Sequence, residues 1–94
     1  MNKYIYVDNS STTKLNEKVL RKMLPYLQDY YGNASTVYEL GKISRNAIDV
    51  SRNIIAKCIN ADTEEIYFTG SGTESDNIAI QGIAYKYKDK GKHI

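Results

Sequence analysis

Ninety-four residues, 41% of them hydrophobic and 26% charged, set the scale of one small soluble globular domain with a modest core. The formal charge of +2 is too small to argue for nucleic acid or an anionic membrane surface as a partner. No apolar run approaches membrane-spanning length, and Met1-Asn2-Lys3-Tyr4 lacks the apolar centre of a signal peptide.

The single cysteine, Cys58, rules out an internal disulfide and fits a reducing cytoplasm. It continues the apolar stripe of a helix, which reads as a packed core thiol rather than a nucleophile. Cys58 and His93, the only histidine, cannot by themselves supply a metal site of the usual ligand count.

In chain order, Tyr4-Ile5-Tyr6-Val7 reads as a short strand and Asp8 to Thr13 as a polar loop. A helix is predicted from near Asn16, with Leu20, Met23, Leu24, Leu27 and Tyr31 on its apolar side. Pro25 lies inside it, removing the bond to the Arg21 carbonyl and favouring a kink. Gly32 suits a left-handed helix cap, and Ser35 or Thr36 the start of the next helix. That helix has the clearest pattern, a stripe of Val37, Leu40, Ile43, Ala47, Ile48, Ser51, Ile54, Ile55 and Cys58 that runs until Asn60. Lys42, Arg45, Asp49 and Arg52 read as its solvated face.

A second strand is predicted at Glu65-Ile66-Tyr67-Phe68-Thr69, with Ile66 and Phe68 on one face. A third helix follows, with Ile78, Ala79, Ile80, Ile83, Ala84 and Tyr87 at helical spacing. Between them lies the most informative stretch, Gly70-Ser71-Gly72-Thr73-Glu74. Its glycines permit a tight turn and close approach of a ligand to the backbone. Ser71 and Glu74 form a capping-box pattern that sets the helix start there. A helix start carries unpaired N–H groups and partial positive charge, which suits a phosphate. The same residues are also ordinary turn and cap chemistry. They fit neither a Walker A loop, which needs Gly-Lys-Ser/Thr, nor a dinucleotide fingerprint, which needs a third glycine where Ser75 stands.

Lys86, Lys88, Lys90 and Lys92 gather at the end of the third helix, where cations oppose its dipole favourably. Tyr85 and Tyr87 are interleaved with them, but Asp89 breaks the run, and no nucleic-acid role is assigned. Lys92-His93-Ile94 looks like the first residues of a third strand. Three amphipathic helices with two short strands leave an α/β layer without the parallel strand to which each helix should return. The expected fold class is therefore α/β, mostly helical, with an incomplete sheet, as in the front piece of something larger.

Three segments in register carry a family resemblance. Tyr6-Val7-Asp8-Asn9-Ser10-Ser11-Thr12-Thr13, Tyr31-Gly32-Asn33-Ala34-Ser35, and Ile66 through Asn77 resemble successive signatures of NifS/IscS-like cysteine desulfurases. These are class V aminotransferases of pyridoxal-phosphate fold type I. The resemblance runs from about Tyr4 to Ile94. It implies pyridoxal 5′-phosphate as cofactor and a reaction that takes sulfur from L-cysteine. The products are L-alanine and an enzyme persulfide, for iron–sulfur cluster assembly or tRNA thiolation. Gly72 and Thr73 align with the pair that holds the cofactor phosphate. Ala34 stands where proline is common, Gly72 where alanine is common, and Ser10 and Ser11 replace a more usual pair of small residues.

The resemblance also implies a lysine that carries the cofactor, an acidic partner for its ring nitrogen, a stacking histidine and a persulfide cysteine, and no residue here matches any of them. It further implies a homodimer, sulfur-acceptor proteins as partners and a cytoplasmic location. Residues 1–15 would be an N-terminal arm and 16–94 the start of the large cofactor-binding domain, with no catalytic residue and no stable cofactor binding by this chain alone. A selenocysteine lyase or other class V member is the alternative enzyme. A free-standing helical interaction module is the alternative of another class, which an open reading frame continuing into a Ser-x-His-Lys segment would exclude.

Overall fold

The computed structural model describes residues 4–93, which hold three α-helices and one 3₁₀ turn. The helices are α1 (Glu17–Gln28), α2 (Glu39–Cys58) and α3 (Gly72–Lys86), with the 3₁₀ turn at Thr63–Glu65 before α3. The chain forms two compact units, Met1–Ser51 and Arg52–Ile94, with the boundary inside α2. No helix of the described residues is long and apolar enough to cross a membrane.

In the first unit, α1 starts where its cap residue dictates. The Asn16 side chain accepts the Lys18 N–H at 2.8 Å, satisfying one of the donors that a helix start leaves unpaired. The helix runs through Pro25 to Gln28, and the N–H groups of Asp29 and Tyr30 both close on the Pro25 carbonyl. The connection to α2 is organised by Asn33, whose side chain accepts the Ser35 N–H at 2.9 Å. Its carbonyl accepts both the N–H and the hydroxyl of Thr36. Ser35 and Thr36 thus close a turn on Asn33, and α2 begins just past Val37, at Glu39.

Gly32 is not the left-handed cap expected of it, since no described glycine has positive φ. Its role is steric: a Cβ there would sit 2.6 Å from the Leu40 carbonyl carbon and oxygen. Gly41 is similarly confined, with the Asn33 and Thr36 carbonyl oxygens 2.7 Å from the place of a Cβ. Two side chains of α2 also reach back, Ser44 Oγ to the Tyr30 carbonyl at 3.1 Å and Arg45 Nε to the Ala34 carbonyl at 3.0 Å. Arg45 therefore has a partner on the face read as wholly solvated.

In the second unit, α2 ends at Cys58, just before Asn60, the residue at which its stripe was expected to stop. Asn60 adopts φ 55°, and the Ala61 N–H closes on the Ala56 carbonyl at 2.9 Å. Asparagine tolerates the left-handed region better than other side chains with a Cβ, so it serves here where glycine often does. Ala56, 2% exposed, is the buried hydrophobic residue of the described chain. Cys58, expected in a core, is exposed.

Neither predicted strand forms a ladder among the described residues. Residues 4–7 and 66–69 are in no regular element, and Glu65, the first residue of the second predicted strand, lies in the 3₁₀ turn. A strand's N–H and C=O groups point sideways and need a neighbour, so β-propensity alone makes an extended segment and not a sheet. Tyr4, Ile5 and Val7 are 90%, 89% and 85% exposed. For the third strand, Lys92 and His93 are unpaired, and Ile94 lies outside the described residues. The helices are exposed too, Leu27 at 65% and Ile83 at 60%. The apolar residues of α3 also spread around the helix instead of forming the single stripe expected, the pattern of a helix to be covered on more than one side.

Two outcomes follow from this geometry. The isolated 94-residue chain, with apolar surface on all three helices, is expected to sediment as a dimer or larger species at micromolar concentration. A compact monomer would contradict that. Gly41→Ala should lower thermal stability although alanine favours a helix by about 1 kcal/mol. The added methyl meets two backbone carbonyls, and overpacking costs roughly 1–3 kcal/mol. An unchanged or raised melting temperature would mean that the turn at Asn33 yields freely.

Candidate functional site

The junction between residues 66–69 and α3 is held by a short set of side-chain bonds. Ser71 is the N-cap of α3, in extended conformation, and its hydroxyl accepts the Glu74 N–H at 3.2 Å. The Glu74 carboxylate turns back and accepts the Gly70 N–H at 2.7 Å. This is the expected capping box shifted by one residue, since the reciprocal bond falls on Gly70 and not on Ser71. Thr69 Oγ1 lies 2.6 Å from Ser75 Oγ and donates to the Ser71 carbonyl at 3.1 Å. Thr69 and Ser75 were not singled out from sequence. Their hydroxyls, two residues before and four after the cap, were the available signal.

These bonds use the donors around Gly72 and Thr73 but leave that pair open. Among the described residues, the Gly72 N–H, the Thr73 N–H and the Thr73 hydroxyl make no hydrogen bond. The position a Cβ would take on Gly72 has nothing within 4 Å, so the approach to the backbone is clear. The loop is exposed throughout Gly70–Thr73. Two adjacent N–H groups at a helix start, with one hydroxyl beside them, form a donor set that suits a phosphate. Glu74 is the nearby negative charge, and its bond to Gly70 keeps it occupied on the strand side of the cap.

Arg52, read from sequence as part of a solvated face, is half-buried. Its Nη1 donates to the Ile66 carbonyl at 2.6 Å, and its guanidinium lies 4.9 Å from the centroid of the Phe68 ring. A separate apolar groove of about 590 Å³ lies at the other end of α3, lined in part by Ile80, Ile83, Tyr87 and His93. Lys88 and Lys92 line it as well, and it is remote in sequence from the loop. Beside it, Lys86 and Lys90 lie 5.6 and 5.0 Å from the Tyr87 ring, which occupies two of the clustered cations. Among the described residues no cluster of histidine, cysteine and acidic side chains could hold a metal ion.

Residues 5–94 match the family described as aminotransferase class-V, and the chain belongs to it. It is 52% identical over 93 residues to the cysteine desulfurase IscS of Methanosarcina thermophila, covering 99% of this chain and 23% of that protein. It is 44% identical to the cysteine desulfurase IscS of Clostridium botulinum, over 100% of this chain and 24% of that protein. The cysteine desulfurase IscS of Neisseria gonorrhoeae is 46% identical over 91 residues, 96% of this chain and 22% of its own length. The chain thus spans under a quarter of the length of these relatives. No solved structure matches it significantly.

The described lysines are all exposed on helix surfaces, loops and the tail, without an enclosed pocket around any of them. Incubating the isolated chain with pyridoxal phosphate and borohydride should therefore leave no stoichiometric label at one lysine. A single labelled site in peptide mass spectra would contradict this reading.

Proposed function

We propose that this chain is the N-terminal segment of a pyridoxal-phosphate-dependent cysteine desulfurase, and that Gly72 and Thr73 hold the cofactor phosphate. The observation that carries the reading is the open donor set at the start of α3, in a chain that belongs to the class V family. The donor chemistry fits a phosphate monoester: two N–H groups, a hydroxyl and the positive end of a fifteen-residue helix. When bound, the cofactor supplies an electron sink for the bond changes at the substrate. The contribution of this chain is to bind and orient. The backbone of Gly72 and Thr73 fixes one end of the cofactor, while Ser71, Thr69, Ser75 and Glu74 hold that backbone in place.

In this reading the whole protein takes sulfur from L-cysteine, releases L-alanine and passes the sulfur to acceptor proteins. It works as a homodimer in the cytoplasm. Residues 1–15 form its N-terminal arm, and 16–94 open its large cofactor-binding domain. The groups that carry the bond chemistry lie outside this chain, which by itself is not catalytic.

Thr73→Val in the full-length protein separates a phosphate grip from a helix-start role. Loss of one charge-assisted bond of about 1.5–3 kcal/mol should weaken cofactor binding by about ten- to a hundred-fold. If Thr73 served only the helix start, stability would fall by about 1 kcal/mol with affinity unchanged. Titrating cofactor into the apo-protein while following thermal stability reads both. Lowered stability with unchanged affinity would sink the assignment.

A further inference from the structure

The bonds that brace the loop run among residues 69–75, and they fix its shape but not its place. Placement comes from Arg52, fourteen residues upstream of Ile66 and on a different helix. Ile66 and Phe68 lie two apart in the segment that leads to the loop, one offering its carbonyl and the other its ring. One guanidinium engages both: Nη1 donates to the Ile66 carbonyl at 2.6 Å, and the planar group lies 4.9 Å from the Phe68 ring centroid. The fork geometry of arginine allows a directed bond and a ring contact from one rigid group, which a lysine cannot reproduce in full. Thr69 follows directly, and its hydroxyl is the first member of the brace. A continuous line of contacts therefore runs from α2 through Arg52, Ile66, Phe68 and Thr69 to the cap of α3.

We propose that Arg52 is a positioning residue for the phosphate-gripping loop, tethering the segment before it so that the Gly72 and Thr73 donors stand where the phosphate arrives. The proposal rests on the reading that those two residues hold the phosphate. Its signature is selective: loosening the tether weakens binding through the phosphate and leaves binding through the pyridine ring alone. Small displacements of a positioning group are costly, because a hydrogen bond to phosphate tolerates only a few tenths of an ångström.

The experiment uses the full-length apo-protein and two probes, pyridoxal 5′-phosphate and pyridoxal, which differ only in the phosphate. Binding is followed by the absorbance of the probe, and thermal stability is recorded in parallel. In the unaltered protein, pyridoxal 5′-phosphate should bind more tightly than pyridoxal. Arg52→Met should reduce that preference about tenfold by weakening the phosphorylated probe alone, and Arg52→Lys should give an intermediate preference. A lowered melting temperature with the full preference retained would make Arg52 a purely structural residue and overturn the proposal. Should Arg52→Met fail to fold, Phe68→Leu removes the ring contact alone. Its preference should fall severalfold, and an unchanged preference overturns the proposal. No preference in the unaltered protein would instead reject the phosphate role of Gly72 and Thr73, and the tether's role with it.

Discussion

Where α3 begins is settled by one hydroxyl. Ser71 accepts the Glu74 N–H and so stops the helix from extending upstream, which leaves Gly72 and Thr73 as its first two residues. The first N–H groups of any helix have no partner within it. Here the cap takes one of them and the carboxylate of Glu74 bends away to Gly70. A shift of the start by one residue would change which donors remain open. The identity of the candidate site is thus a consequence of capping, and the glycine at 72 keeps its approach clear.

The rest of the second unit works to keep that start in place. Thr69 and Ser75 share a short bond across the cap, and Arg52 of α2 holds Ile66 and Phe68 in the segment before it. None of these contacts is apolar, which suits a stretch with little buried hydrophobic surface of its own. With only Ala56 buried among the described hydrophobic residues, hydrophobic burial cannot set the geometry here. Directional bonds do it instead, and each fixes an angle as well as a distance.

The helices and the loop were legible because their signals are local. The first helix start near Asn16, the stripe from Leu40 to Ile55 and the Gly-Ser-Gly-Thr start are read from neighbours within a few residues, and a helix forms at each, although α1 ends at Gln28, short of Tyr31, and α2 begins at Glu39, beyond the expected caps Ser35 and Thr36. The strands were not legible in the same sense. Tyr4–Val7 and Ile66–Thr69 have the composition of strands, but pairing is a property of two segments. Arg52 was missed for a related reason. On a helical wheel it falls among Lys42, Arg45 and Asp49, and only the return of the chain at Ile66 gives it a partner. Gly32 shows the converse error. A glycine after a helix suggests a left-handed cap, yet the close approach of Leu40 accounts for it without any unusual φ.

The exposed apolar surface and the loop express the same division of labour. A chain under a quarter of the length of its relatives carries helices whose apolar residues are largely uncovered, with those of α3 spread around its axis. Burial of those faces is a long-range property that requires other chain segments. The loop, by contrast, needs nothing beyond residues 52–77 to acquire its caps, its brace and its tether. Local hydrogen bonding can therefore shape the turn at this candidate site before the surrounding layer is complete. The shape of a helix-start loop is then separable, physically, from the burial that supplies global stability.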